Sequence, residues 1–261
     1  MIIICNNYFY ELPRLIAFYL GLCYTDCMTL QEILKIFEAN ADAEKGVRDE
    51  KYMRGLFPHY GVRAGDRDKL FAPLFSKKEQ VNPIDWGLVH ALWAEPMREC
   101  QYIAVWYIWC KRQHLTRADL PTLRALIEEK PWWDTIDGLS GTFGDIVKRD
   151  ESVKDVMLDW SKDGNYWIRR IALQHQLQFK DKTDSVLLGK IITNNFGEAE
   201  RSAPSSDGRN EAQNQAFFIN KSIGWVLREY SKTNPAWVRE FVDKNRGKMS
   251  KLSIREGSKY I

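Results

Sequence analysis

The chain has little of what would build a sheet protein, a membrane protein, a metal centre or a disulfide scaffold. Alternating β-branched runs are nearly absent from residue 28 onward, which excludes a mainly β architecture. The one long apolar stretch, Leu12 to Cys23, is broken by Pro13 and Arg14 and is too short to span a bilayer. No basic region precedes it, so it makes a poor signal peptide. The four histidines (His59, His90, His114, His175) are scattered, and none belongs to a metal-binding arrangement. His175 falls on an apolar helix face and is expected to be a satisfied core residue. The five cysteines form no paired framework. Cys23 and Cys27 stand four apart, yet no nearby His or second pair completes a zinc site. Free thiols in a reducing cytosol follow, and neither a metal nor a cofactor is expected. Gly138-Leu139-Ser140-Gly141 lacks the lysine and following helix of a phosphate loop, and no GxSxG elbow is present. The two signs of charge nearly balance, 38 Lys and Arg against 35 Asp and Glu, for a net of only +3. Nucleic-acid binding is thereby permitted without being required, and its case rests on where the charge sits. The clusters Lys111-Arg112, Lys148-Arg149, Arg169-Arg170 and Lys180 with Lys182 read equally well as solvated helix faces.

What the chain does have is tryptophan, ten of them, and helical periodicity. Residues 97–110 place Met97, Cys100, Tyr102, Ala104, Val105, Ile108 and Trp109 on a broad apolar face. Leu120, Leu123, Leu126 and Ile127 do the same further on, as do Ile168, Ile171, Ala172, His175 and Leu177. Breaks at Pro58, Gly61, Pro83, Pro96, Pro121, Pro131, Gly164 and Pro235 imply about a dozen helices joined by short loops. No sharp consensus recurs. The expected fold is therefore all-α, an α-solenoid of degenerate HEAT-like helix pairs, ahead of a closed bundle. Thr29 suits an N-cap for a helix from Leu30. We expect Met28 to be the natural start, with residues 1–27 a non-native or disordered extension and 28–261 a single domain. Residues 197–215, polar and rich in Gly, Ser, Asn and Glu, are expected to form a flexible surface insertion.

Three segments combine aromatics with charge. Pro131-Trp132-Trp133-Asp134-Thr135-Ile136-Asp137 sets two indoles and two carboxylates within six residues, and on a helix Trp133 and Asp137 share a face. A carboxylate beside an indole suits a cationic group or a carbocation-like transition state. Asn165-Tyr166-Trp167-Ile168-Arg169-Arg170 opens a second helix. On a third, Lys221, Trp225 and Arg228 form a stripe at i, i+4 and i+7, awkward as a core face but natural against phosphate and sugar. Taken singly, each reads more often as core packing than as a ligand platform.

These motifs, WWDTID, NYWIRRIA and FFINKSIGWVLREYSKTNP, resemble the AlkD-type DNA alkylation repair glycosylases, a family of HEAT-like repeat DNA glycosylases. Lys51-Tyr52-Met53-Arg54 with Tyr60-Gly61-Val62, the run Leu92 to Glu99, and Ser253-Ile254-Arg255-Glu256 extend the likeness across roughly Leu30 to Ile261. The resemblance implies a concave basic groove cradling duplex DNA. It also implies hydrolytic removal of cationic alkylpurines, chiefly 7-methylguanine and 3-methyladenine, without flipping the base. It places Asp137 as the catalytic carboxylate and Trp133 and Trp225 against the deoxyribose. Arg170 falls near a phosphate, with Tyr52, Phe218, Lys221 and Arg228 as further DNA contacts. A monomer acting on alkylated double-stranded DNA, with no membrane partner and a cytoplasmic or nucleoid location, completes what it implies. Ala64-Gly65-Asp66-Arg67 departs from the family's Thr-Pro turn but touches no catalytic position. The alternative is a non-catalytic helical-repeat protein that binds DNA structures or a protein partner and has no need of Asp137.

Overall fold

The computed structural model describes residues 28–75, 80–197 and 211–261. Every regular element among them is helical, and no strand occurs among the described residues. The expected extension at 1–27, with Cys23 and Cys27, lies outside them. The chain divides into two compact units, Met1–Asn82 and Pro83–Ile261.

The first unit contains α1 (Leu30–Ala39), α2 (Ala43–Tyr52) and α3 (Ala64–Phe71), followed by a 3-10 turn at Ala72–Phe75. Thr29 does cap α1: its hydroxyl accepts from the Glu32 amide while the Glu32 side chain accepts from the Thr29 amide. Ile33, Phe37, Phe71 and Leu74 are fully or almost fully buried, and the Phe37 ring stacks on Tyr60 with centroids 5.0 Å apart. Ala64-Gly65-Asp66-Arg67 forms the first turn of α3, whose N-cap residue Arg63 supplies no side-chain cap.

The second unit runs α4 (Trp86–Ala94), α5 (Arg98–Cys110), α6 (Leu120–Glu129), α7 (Trp133–Arg149), α8 (Val153–Trp160), α9 (Tyr166–Gln174), α10 (Ser185–Asn194), α11 (Glu211–Ser231), α12 (Pro235–Asn245) and α13 (Lys251–Gly257). The odd-numbered helices form one layer in which α5, α7, α9, α11 and α13 each pack on the next. A second layer is supplied by α8, α10 and α12: α8 packs on α9 and α10, and α12 packs on α11. This is the stacking of an α-solenoid, in which each helix pair buries its apolar faces against its neighbours. Pro121 and Pro235 do not interrupt helices. They sit in the first turns of α6 and α12, where a missing N–H costs nothing.

Residues 211–215, expected in the surface insertion, are the first residues of α11. Glu, Ala and Gln are good helix formers, and Glu211 complements the N-terminal dipole, so the polar composition misread a helix start as a loop. One close approach sets the spacing of the odd layer. A Cβ at Gly144 on α7 would overlap the backbone carbonyl of His175, just past the end of α9.

Candidate functional site

The two aspartates of the WWDTID segment take separate roles, and both are paired with an arginine. Asp134 lies in the first turn of α7. Its Oδ1 accepts from Arg98 Nη2 at 2.6 Å and from the Thr135 amide at 2.9 Å. Its Oδ2 accepts from Arg98 Nε at 3.0 Å and from the Tyr102 hydroxyl at 2.6 Å. Arg98 is fully buried and also donates to the Lys130 carbonyl and the Thr135 hydroxyl. All four lone-pair positions of Asp134 are thus occupied. This carboxylate is a structural fastener between α5 and α7.

Asp137 stands one turn further along α7, half-buried. Arg170, in the second turn of α9, grips it bidentately: Nε to Oδ1 at 2.7 Å and Nη2 to Oδ2 at 2.8 Å. The third nitrogen, Nη1, donates to the backbone carbonyl of Phe218 on α11 at 2.5 Å. One guanidinium therefore ties three consecutive helices of the odd layer together at the candidate site. The arginine side chain is 4 % exposed and the aspartate 18 %. The positive member lies behind and the negative member faces outward, with one lone pair on each oxygen beyond those Arg170 uses.

Two devices aim Arg170. The start of α9 is fixed by Asn165, whose Oδ1 accepts from the Trp167 amide at 2.9 Å. Aromatic packing fixes the rest. Trp132 meets Phe218 edge-on at 5.2 Å and Trp167 at 5.8 Å. Trp167 lies 4.9 Å from Phe218 and 4.6 Å from Tyr166. Such contacts add to area burial in specifying one arrangement. They join the first turns of α7 and α9 to α11, and so set the carbonyl that receives Arg170.

Of the expected site residues, Asp137, Arg170 and Phe218 are brought into direct contact. Phe218, expected against DNA, is a core residue instead: only 5 % of its surface is exposed, because the aromatic cluster covers its ring. Its neighbour Phe217 is the exposed one at 47 %. Trp133 and Trp225 are half-buried. Trp133 precedes Asp137 by one turn on α7, and Trp225 follows Phe218 by about two turns on the same side of α11. Tyr52 is exposed and belongs to the first unit. Lys221 and Arg228 lie on either side of Trp225 along α11, and both pair with Glu256 of α13, at 3.2 and 3.0 Å. The basic clusters are only partly solvated faces, since Lys111, Arg169 and Arg170 are buried.

Other reactive groups point away from chemistry. Burial pushes the Cys100 thiol up to about 12 and raises Cys110 as well, so neither is a ready thiolate. His175 is buried with Nδ1 2.7 Å from the Ala172 carbonyl, and burial lowers it to about 4. Among the described residues no group of three His, Cys, Asp or Glu could hold a metal. No described helix is long and apolar enough to cross a membrane.

A family model described as "DNA alkylation repair enzyme" matches residues 33–261, which include every residue of this site. The chain belongs to that family. A solved structure, a predicted DNA alkylation repair enzyme from Enterococcus faecalis, superposes with a TM-score of 0.70 at 31 % identity. The alignment covers 85 % of this chain and 96 % of that one. Comparison with curated proteins gives no match. The family match takes in the whole odd layer from α5 to α13, so the Asp137–Arg170 clasp lies within the part of the chain shared with DNA alkylation repair enzymes.

Proposed function

We propose that the chain is a DNA glycosylase that hydrolyses the N-glycosidic bond of cationic alkylpurines such as 7-methylguanine and 3-methyladenine in duplex DNA. The observation that carries this reading is the half-buried Asp137, clasped by the more deeply buried Arg170, with the half-buried Trp133 one turn before it on α7. A base alkylated at these positions already carries positive charge. It leaves neutral when the C1′–N bond breaks, so no general acid is needed. Ordinary glycoside hydrolysis uses two carboxylates, one of them an acid, and a pre-activated leaving group removes the need for that acid.

What remains is to stabilise positive charge as it moves onto the sugar. The outward edge of Asp137 supplies a fixed negative end, and the Arg170 clasp removes the cost of orienting it at the moment of reaction. Trp133 and Trp225 offer electron-rich faces to the same charge. The free lone pairs of Asp137 can accept a proton from water as its oxygen bonds to C1′, giving an abasic site and the free base. Neutral purines leave poorly, which spares normal DNA without a tight base pocket. Acting on the sugar face, the enzyme avoids the cost of base flipping.

The test is incubation with a duplex containing 7-methylguanine, followed by alkali to cleave abasic sites. Wild-type protein is expected to give strand breaks, and Asp137→Asn to release base about 100-fold more slowly while still binding DNA. Binding without breaks by wild-type protein would establish the non-catalytic alternative. Near wild-type release by the variant would remove Asp137 from the mechanism.

A further inference from the structure

Glu256 is a buried carboxylate, its side chain 7 % exposed, surrounded by four cations. Its Oε2 takes Lys221 Nζ at 3.2 Å, Arg228 Nη1 at 3.0 Å and Lys259 Nζ at 3.2 Å, while Arg255 reaches Oε1 at 3.5 Å. The fold goes to some length to put it there. A Cβ at Gly224 would stand 2.5 Å from the Glu256 Cβ, so only the missing side chain at 224 lets α13 press so close to α11. Ser253 fastens the same contact, donating to the Asn220 carbonyl at 2.9 Å. Glu256 therefore enters α11 level with Trp225, between Lys221 one turn before and Arg228 one turn after. Those two are the cations that flank the tryptophan assigned above to the sugar.

Four cations around one carboxylate leave a strongly positive cluster, yet its two inner members are already engaged. Lys221 is 40 % and Arg228 26 % exposed in the side chain, so both can be reached by an oxyanion from outside. A backbone phosphate offers the same kind of acceptor as the Glu256 carboxylate. Binding DNA at this face is then an exchange of one anion for another, not a simple addition.

We propose that Glu256 is an internal competitor for backbone phosphate: by pairing with Lys221 and Arg228 it subtracts from the affinity of this face for any DNA. It limits binding to undamaged duplex, which offers the same phosphates but no cationic nucleotide to reward the tryptophans and Asp137. The inference rests on the reading of α11 as a DNA-facing helix.

The experiment uses the full chain with Glu256→Gln, a near-isosteric change that removes the negative charge and keeps an acceptor. The dissociation constant for an unmodified duplex is measured as salt is varied, alongside single-turnover base release from a 7-methylguanine duplex at saturating enzyme. We expect Glu256→Gln to bind unmodified duplex about 3- to 10-fold more tightly near 0.1 M salt. Its log–log salt slope should steepen by about one, as one more uncompensated cation meets phosphate. The saturated release rate should stay within about twofold of wild type. Adding Glu256→Gln to a Lys221→Gln/Arg228→Gln background should abolish the tightening, because the competed cations are gone. An equal tightening in that background would reduce the effect to general surface charge and overturn the proposal. Unchanged or weaker binding by Glu256→Gln would also overturn it. Should that variant fail to fold, Glu256→Asp, which withdraws the carboxylate by one methylene, is expected to tighten binding by a smaller factor, and no tightening counts against the inference. If wild-type protein binds no duplex at all, the DNA-facing reading of α11 falls first. If it binds and releases base while Glu256→Gln changes nothing, only this inference falls.

Discussion

Asp134 and Asp137 stand three residues apart on α7, each in a bidentate ion pair with an arginine, and their replacement by asparagine should have opposite consequences. At Asp134 the carboxylate accepts four hydrogen bonds, and the Arg98 side chain it neutralises is 0 % exposed. An asparagine there must turn its amide towards donors, either Arg98 Nε and Tyr102 or Arg98 Nη2 and Thr135. It also removes the charge that Asp134 sets against the buried Arg98 guanidinium. Breaking a buried pair from one side costs about 3–5 kcal/mol, a large share of the roughly 5–15 kcal/mol that holds a domain folded. At Asp137 only Arg170 donates among the described residues; Arg170 is itself buried, but the Asp137 edge is 18 % exposed and water there screens the lost charge, so the same change is expected to cost less, about 1–2 kcal/mol. The assay is urea unfolding followed by tryptophan fluorescence, with the slope checked so that a shifted midpoint reports stability alone. Asp134→Asn should lose about 2 kcal/mol more than Asp137→Asn. Assayed well below its transition, it should still release alkylated base at a rate within about threefold of wild type. Equal stability losses, or folded Asp134→Asn protein as inactive as Asp137→Asn, would refute the division of labour drawn between the two carboxylates.

Gly144→Ala forces a methyl group into the His175 carbonyl, and since backbone cannot rotate away, α7 and α9 must separate at a cost of about 2–3 kcal/mol, readable in the same urea titration. His175 makes stability depend on pH in a definite direction. Its folded value of about 4 lies below the ordinary 6.5, so between those values the unfolded chain binds the proton and the folded one does not. Stability should be undiminished above about pH 6.5 and fall as pH drops towards 4, by about 3 kcal/mol over the full window. His175→Gln should flatten that part of the pH–stability curve. An unchanged curve in the variant would place the proton uptake on another group.

The sequence by itself carried the helical class, because period-3.6 apolar patterns survive any detail of packing. It located the helix start at Leu30 from Thr29, whose cap is local chemistry, and it placed the opening of another helix within Asn165 to Arg170. It also picked out Trp133, Asp137 and Trp225 by residue type, and a family likeness spread over most of the chain added Arg170, expected near a phosphate, whose guanidinium the fold instead buries against Asp137 and the Phe218 carbonyl. It could not show that Arg170 reaches the Phe218 carbonyl, because that contact spans 48 residues. Nor could it show that the Phe218 ring is buried while Phe217 is exposed, since adjacent positions on a helix differ only in which neighbour covers them. Glu256 gave no signal either: one acid near the end of a mildly basic chain looks like a solvated charge until Gly224 and Ser253 bring α13 onto α11. Local propensity determined what each segment is, and the meeting of distant segments determined what each charge faces. That is why two aspartates alike in sequence become, in the fold, one sealed fastener and one open carboxylate.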